Sequence, residues 1–339
     1  MKPGPLNLIT DVDGLAVGHA QDDALKSGVT VLTAPENNVA SVHVMGGAPG
    51  TRETDLLQPE NIVQSVDGLV LSGGSAFGLD ASSGAQAALR EQGKGFSVAG
   101  QRIPIVPAAI LFDLVNGGNK DWGVHSPYRE LGYEAVHAAQ KEFPLGTVGA
   151  GTGALTGGPG GGLKGGLGSA STVLDNGFCI GALVAVNALG SPVMGDGPNF
   201  WAAPFEMDGE FGSLGAGTPR PQEASRIDIK FRRPAEPGTN TTIGIIATNA
   251  VLTKGQTKRL AIAAHDGFAR ALWPAHTPLD GDLIFSIATG SSAKEPTIDE
   301  QIDLSAVAAS TMSRAIARGI FHAQKAQADI FPTWADRFS

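Results

Sequence analysis

With 339 residues, 42% of them apolar and 17% charged, the chain is long enough to bury a full core, and a disordered or fibrous protein is excluded. A net charge of −9 with no Lys/Arg cluster, and only 6% aromatic residues, argues against binding a phosphate backbone or stacking bases. The one cysteine, Cys179, rules out an internal disulfide and reads as a buried thiol inside Phe178-Cys179-Ile180.

In chain order, the opening MKPGPLNLITDVDG lacks the apolar segment of a secretory signal. No stretch reaches the roughly 18–20 uninterrupted apolar residues of a membrane helix, so a soluble cytoplasmic protein is expected. Residues 9–19 read as polar and turn-rich. Gly28–Thr33 and Val39–Val44 carry the Val and Thr of strands, with the turn APENN between them. Val66–Ser72 predicts a buried strand, followed by Gly73-Gly74 and an Ala-rich helix from about Leu79 to Gln92. Residues 104–114 predict another strand, and Tyr133–Glu142 a helix. The tract from Gly146 to Gly168 has the composition of a linker, but good strands follow it at Ser169–Leu174 and Gly181–Leu189. It reads as a folded, Gly-turned wall of a site.

Residues 202–237 turn to Pro, Glu, Arg and Gly and are expected to be exposed. The chain then changes abruptly at Thr239-Asn240-Thr241-Thr242-Ile243, where a strand signal starts at Thr241. Thr253 predicts the N-cap of a helix running on through Ala271. Leu283–Ala288 predicts a strand, and Leu304–Gln324 a last long helix with Leu304, Ala308, Thr311, Ala315 and Gly319 on one side. Strands and helices alternate with no repeat of about 20–50 residues, which gives an α/β or α+β class of sheets covered by helices.

A mobile polar stretch ending at a hydroxyl residue that opens a buried strand is what self-processing needs. The Thr241 hydroxyl can attack the Asn240 carbonyl, and water can release a chain beginning at Thr241. Its free α-amine, with an ordinary pKa of about 7.7–8.0, then serves as a base at neutral pH. The tripeptide alone is an ordinary strand start.

The surrounding sequence is more specific. GTNTTIGIIATNAVLTKGQTKRLAIAAHDGFARAL from Gly238, and HTPLDGDLIFSIATG after it, resemble the family of L-aminopeptidase/D-esterases, β-peptidyl aminopeptidases and nylon-oligomer hydrolases. LSGGSAFGLDA at 71–81, VPAAILFDL at 106–114, GAGTGA at 149–154, LKGGLGSAS at 163–171 and VAVNALGSP at 184–192 extend the resemblance over nearly the whole chain. It implies a four-layer αββα sandwich, a single domain self-cleaved into 1–240 and 241–339, oligomers of the cut pair, and no metal or organic cofactor. Thr241 matches the nucleophile, Asn240 the residue before the cut, and Asn187 the amide that stabilises the oxyanion. Lys164 matches a lysine beside the nucleophile, holding its hydroxyl at low pKa or its amine neutral. Asp280 and Asp282 match carboxylates that orient the new amine and bind a substrate's ammonium. Phe112 stands where nylon-oligomer hydrolases carry a Tyr, which favours an aminopeptidase or amidase acting on small peptides or amides.

The bland readings differ from site to site. Leu163 before Lys164, with no Ser/Thr after it, is not a phosphate loop, and Gly149–Ala154 lacks the strand-loop-helix unit of a dinucleotide site. Ser75 in GGSAFG fails the nucleophile-elbow pattern because residue 77 is Phe; it reads as a helix-entry Ser lining the pocket. His265 and Asp266 read as capping or packing residues, and the seven His lack metal spacing. An acyltransferase of similar fold, or an uncleaved binding protein, remains the alternative to a hydrolase.

Overall fold

A computed structural model describes residues 1–218, 222, 225–231 and 240–338. Among the described residues, fourteen strands are laid down in chain order. The first eight are β1 (Ala16–Asp22), β2 (Ser27–Thr33), β3 (Val39–Val44), β4 (Thr51–Arg52), β5 (Gly68–Ser72), β6 (Phe96–Val98), β7 (Gln101–Ile103) and β8 (Ala108–Ile110). They are followed by β9 (Leu155–Thr156), β10 (Leu163–Lys164), β11 (Gly166–Val173), β12 (Cys179–Asn187), β13 (Thr241–Thr248) and β14 (Leu283–Ala288). The helices that matter here are α1 (Ala81–Glu91), α2 (Tyr128–His137), α3 (Lys254–Ala264), α4 (Asp266–Ala269) and α5 (Ile298–Phe321).

Two five-stranded sheets form the middle, ordered β1-β2-β5-β8-β4 and β11-β12-β13-β14-β3. Side chains alternate across each strand, so every strand feeds two cores. Ile243 and Ile245 of β13 meet Leu183, Phe285, Leu32 and Leu69 between the sheets. Ile246 of the same strand faces outward, into a core with Val184, Leu260, Met312 and Ile316 under α3 and α5. On the opposite side Val29, Val31 and Val70 pack under α1 and α2 against Ala85, Leu89 and Val136. Covered on both faces, these strands are continuous apolar runs, each buried Ile or Leu contributing about 1.5–3 kcal/mol. The result is the four-layer αββα order that the resemblance implies.

The helices lie close because the sheet gives them glycine. A Cβ on Gly168 of β11 would stand 1.8 Å from the Ala315 carbonyl oxygen of α5. Both long helices on that side open on capping boxes, Thr253 with Gln256 and Thr297 with Glu300. The five residues expected on one side of α5 (Leu304, Ala308, Thr311, Ala315, Gly319) are all buried.

Several boundaries differ from those expected. The 104–114 strand shrinks to Ala108–Ile110, because Pro104 and Pro107 lack the N–H a ladder needs. The 133–142 helix is α2, starting five residues earlier behind Pro127, and the 253–271 helix breaks at His265 into α3 and α4. The first strand begins at Ala16, inside the stretch read as turn-rich. The exposed hairpin β6–β7 was not expected, since its turn is Ala99-Gly100, both at positive φ, and Ala gives no signal for such a turn. The Gly146–Gly168 tract is folded and largely buried, as its reading as a wall requires. Of the segment 202–237, residues 219–221, 223–224 and 232–237 lie outside the described residues, as do Gly238 and Thr239 of the motif. The remainder is mostly exposed or half-buried, with Ala202, Phe211 and Lys230 buried.

Candidate active site

β12 and β13 run antiparallel, so the end of one meets the beginning of the other. The register pairs Asn187 directly with Thr241. Both side chains are buried, at 1% and 3% exposure. Thr241 opens a run of β-branched residues, and the buried ladder on either side of β13 fixes its backbone.

Thr241 Oγ1 donates a hydrogen bond to the carbonyl oxygen of Asn240 at 2.5 Å. The same oxygen accepts the N–H of Gly281 at 3.0 Å, and Asn240 bridges Asp280 in parallel. The carbonyl of the expected cut therefore carries a backbone donor and touches the expected nucleophile. Position 281 must be glycine, because a Cβ there would come 2.8 Å from Thr241 Oγ1 and 2.7 Å from the Ala48 carbonyl.

The Asn187 amide is oriented by three partners. Its Oδ1 accepts from the Leu155 N–H (2.9 Å) and from Lys230 Nζ (3.0 Å). Its Nδ2 donates to the Phe112 carbonyl at 2.9 Å. Two obligate donors aimed at one terminal atom require that atom to be oxygen, which sets the amide flip without ambiguity. The nitrogen has two N–H bonds, and Phe112 takes one. Phe112 thus enters the site through its main chain, whereas sequence reasoning dwelt on its ring. Ser75 opens a short 3-10 helix, as expected of a helix-entry residue, and its N–H binds the neighbouring Leu111 carbonyl at 2.9 Å.

The two carboxylates divide. Asp282 Oδ1 accepts the Thr242 N–H at 2.7 Å, and its Oδ2 accepts His276 Nδ1 at 2.9 Å and the His276 N–H at 3.2 Å. It clamps the first peptide of β13 to a histidine that sits at φ +56°. Burial alone would lower the His276 pKa, but Asp282 outweighs it and the net shift is upward. Asp280 accepts the Thr277 N–H at 2.7 Å. Burial, reinforced by the Asp282 charge, pushes its carboxyl up to about 6. Behind His276 stands His265, whose Nε2 meets the His43 carbonyl at 3.1 Å and whose pKa burial drives down to about 3. It caps α3 and packs against Phe268, a packing role as expected.

Lys164 is buried, and its Nζ lies 2.8 and 2.7 Å from the two carboxylate oxygens of Asp329. Lys26 shares that carboxylate at 2.5 Å. The lysine on Asn187 is instead Lys230, with Nζ also on the carbonyls of Leu155 (3.1 Å) and Asn187 (3.2 Å). Sequence reasoning missed it because it lies in a segment whose composition reads as exposed. The only signal was a lone lysine between Ile229 and Phe231. Cys179 is buried and its thiol is pushed up to about 12 by burial, which leaves it unreactive.

A model of peptidase family S58 matches residues 7–329. The chain is 42% identical over 356 aligned positions to an uncharacterized aminopeptidase of Mycobacterium tuberculosis, covering 98% of each chain. It is 26% identical over 295 positions to the 6-aminohexanoate-oligomer endohydrolase of Paenarthrobacter ureafaciens, covering 82% of this chain and 74% of that protein. Among solved structures, a Burkholderia sp. beta-aminopeptidase superposes with a TM-score of 0.71 at 23% identity, over 99% of this chain and 94% of that one, and has the same fold.

Proposed function

The chain belongs to peptidase family S58 and hydrolyses peptide or amide bonds, and from that premise we propose that Thr241 is its nucleophile, exposed when the chain cuts itself after Asn240. The observation that carries this reading is the shared Asn240 carbonyl, with the Thr241 hydroxyl on it at 2.5 Å and the Gly281 N–H at 3.0 Å.

In the first step the Thr241 oxygen bonds to the Asn240 carbonyl carbon while the hydroxyl proton passes to a base. Asp280, with its raised pKa and its backbone beside Asn240, supplies that base. Negative charge collects on the carbonyl oxygen, where the Gly281 N–H already points; one such donor is worth about 3 kcal/mol. The Asn240–Thr241 C–N bond breaks and the nitrogen leaves with a proton, as the amine of an ester. Water then hydrolyses the ester to the Asn240 carboxylate and a free Thr241 hydroxyl. Fragments 1–240 and 241–339 remain one folded unit, because β13 is buried between β12 and β14.

In turnover the new α-amine takes the proton from the Thr241 hydroxyl. The hydroxyl attacks the substrate's amide carbon, and Asn187 offers its second N–H to the oxyanion. The amine leaves, and water frees the acyl group. Asp280, whose backbone lies beside Asn240, takes the new ammonium as its partner, while the Lys164 ammonium is held on Asp329. The substrate class is an aminoacyl peptide or amide. A nylon-type oligomer is the second reading, favoured by the 26% likeness to the oligomer endohydrolase. Against it, Phe112 offers the site a carbonyl and no side-chain hydroxyl. Oligomers of the cut pair and a cytoplasmic location come with the same reading.

A denaturing gel tests it. The purified chain is expected to run as two bands, the smaller beginning Thr-Thr-Ile-Gly, and Thr241→Ala as one band of 34.6 kDa. Two bands from Thr241→Ala would show that the nucleophile lies elsewhere.

A further inference from the structure

A buried lysine ordinarily has a carboxylate to itself or shares one. Lys26 and Lys164 follow that rule on Asp329. Lys230, at 2% exposure, has its three hydrogen bonds on neutral oxygens: the Leu155 carbonyl, the Asn187 carbonyl and Asn187 Oδ1. Its own N–H is fixed on the Leu189 carbonyl at 2.8 Å, so the stem is anchored on both sides of the Asn187 turn. An ammonium with this environment costs more than an apolar side chain of the same size, and burial pushes its pKa down to about 7. Lys254 is also buried with its Nζ on neutral oxygens, the carbonyls of Leu56, Asn61 and Val63; what sets Lys230 apart is that one of its acceptors is a side chain of the site, Asn187 Oδ1. Two of the three acceptors of Lys230 belong to Asn187, the residue that the site needs in one orientation, and the third belongs to Leu155, whose N–H shares Asn187 Oδ1.

We propose that Lys230 is the positioning residue of the catalytic centre: by donating to Asn187 Oδ1 it locks that amide with its nitrogen toward Phe112 and the nucleophile. Without Lys230, a single backbone N–H from Leu155 would hold the oxygen, and the flipped amide would offer an oxyanion a lone pair in place of a donor. Lys230 lies ten residues before Asn240, so the tail of the first fragment must stay docked after the cut. The charged groups facing it are Asp280, on the loop before β14, and Asp113, beyond β8. Asp113 is buried and accepts from Ser27 (2.6 Å) and from the Gly74 N–H (2.8 Å), so its charge is held by other partners. The proposal rests on the reading of Thr241 as nucleophile and Asn187 as oxyanion donor.

Three variants of the full chain test it: Lys230→Met, which keeps the stem and removes the donors, Lys230→Arg, which keeps donors, and Lys230→Gln, for use where Met does not yield soluble protein. Rate is read with an aminoacyl p-nitroanilide and divided by the cut fraction on the gel. Lys230→Met is expected to lower kcat about 10- to 100-fold with KM within about threefold, as a displaced catalytic group does. The kcat–pH profile should lose its limb near 7, and Lys230→Arg should recover most of kcat. If Lys230→Met does not cut itself, the same comparison of kcat, KM and pH profile is made with Lys230→Gln. A kcat within about threefold of the parent overturns the proposal. So does a loss that follows melting temperature alone, with the pH profile unchanged and no recovery by Arg. Thr241→Ala on the same gel separates the two claims: if it still cuts, the nucleophile reading fails; if it does not cut and Lys230→Met behaves as the parent, only the Lys230 inference fails.

Discussion

Thr241 stands between two flanks of opposite character. On the β12 side a cation sits among carbonyls: Lys230 on Leu155 and Asn187, with Asn187 turned to Phe112. On the side of the loop leading into β14, two carboxylates lie within one turn, Asp280 and Asp282, held by backbone N–H groups and His276. Burial acts on both flanks and drives their titrations toward each other, Lys230 down to about 7 and Asp280 up to about 6. Both groups are thereby drawn toward neutrality, the range in which general acid–base chemistry works. In the proposed mechanism the basic flank orients the oxyanion donor and the acidic flank takes the proton. Each flank can be broken separately.

After Thr241→Ala, the largest effect is expected from Gly281→Ala on the acidic flank. The added Cβ would stand 2.8 Å from Thr241 Oγ1 and 2.7 Å from the Ala48 carbonyl, so the loop must shift and withdraw its N–H from Asn240. Self-cleavage should slow by about 100-fold or more, the usual cost of an oxyanion donor. A time course on a denaturing gel reads it. A rate near that of the parent would mean that the Gly281 hydrogen bond belongs to the resting chain alone and that the acidic flank does not serve the cut.

The two flanks were not equally legible in the sequence. The acidic one lies in a short motif, LDGDLIF, directly before a strongly apolar strand, and the family resemblance of that motif names Asp280 and Asp282 where composition alone shows a polar turn. Asn187 ends an apolar strand and was named in the same way. Lys230 could not be, because no periodicity places residues 225–231, and it is buried by long-range bonds to Leu155, Asn187 and Leu189. Lys164 shows the converse. Its motif marked it, yet its ammonium goes to Asp329, a residue 165 positions away that no local pattern connects with it. Sheets covered by helices were legible because apolar strands and long helices leave long signals, while the four-layer order came from the family resemblance. Short strands, the β6–β7 hairpin and the orientation of Asn187 depend on tertiary partners and left none.

An acid limb follows from Asp280. If its carboxylate accepts the Thr241 proton, self-cleavage should fall about tenfold per pH unit below about 6 and level off above it. Its pKa is raised above the ordinary value of 3.8, so the folded chain prefers the protonated form. That stabilisation is complete below about pH 4 and is lost as pH rises through about 6. Uncut Thr241→Ala protein should therefore melt lower at pH 7 than at pH 4.5 by a margin that Asp280→Asn reduces. A cleavage limb that survives Asp280→Asn would move the base to the other flank.

The smallest effect sharpens the comparison by separating charge from geometry at His276. Its backbone lies in the left-handed region, which Asn tolerates and Ala does not, and its Nδ1 donor has an amide equivalent in Asn. His276→Asn should keep both the turn and the hydrogen bond to Asp282, and with them a self-cleavage rate within about threefold of the parent. His276→Ala strains the turn and removes a donor from a buried carboxylate, at a cost of about 1–3 kcal/mol in a urea titration. Because the His276 pKa is raised, the imidazolium stabilises the fold at low pH, and that contribution fades as pH rises past 6.5 and through the folded-state value. The parent should show this decline and His276→Asn should not. If His276→Asn instead loses as much stability as His276→Ala, Asp282 is held by the charge of the imidazolium and not by its hydrogen bond. The acidic flank would then be an ion-pair site whose hold on Thr242 weakens above neutral pH, the opposite dependence from that of Asp280 as a base.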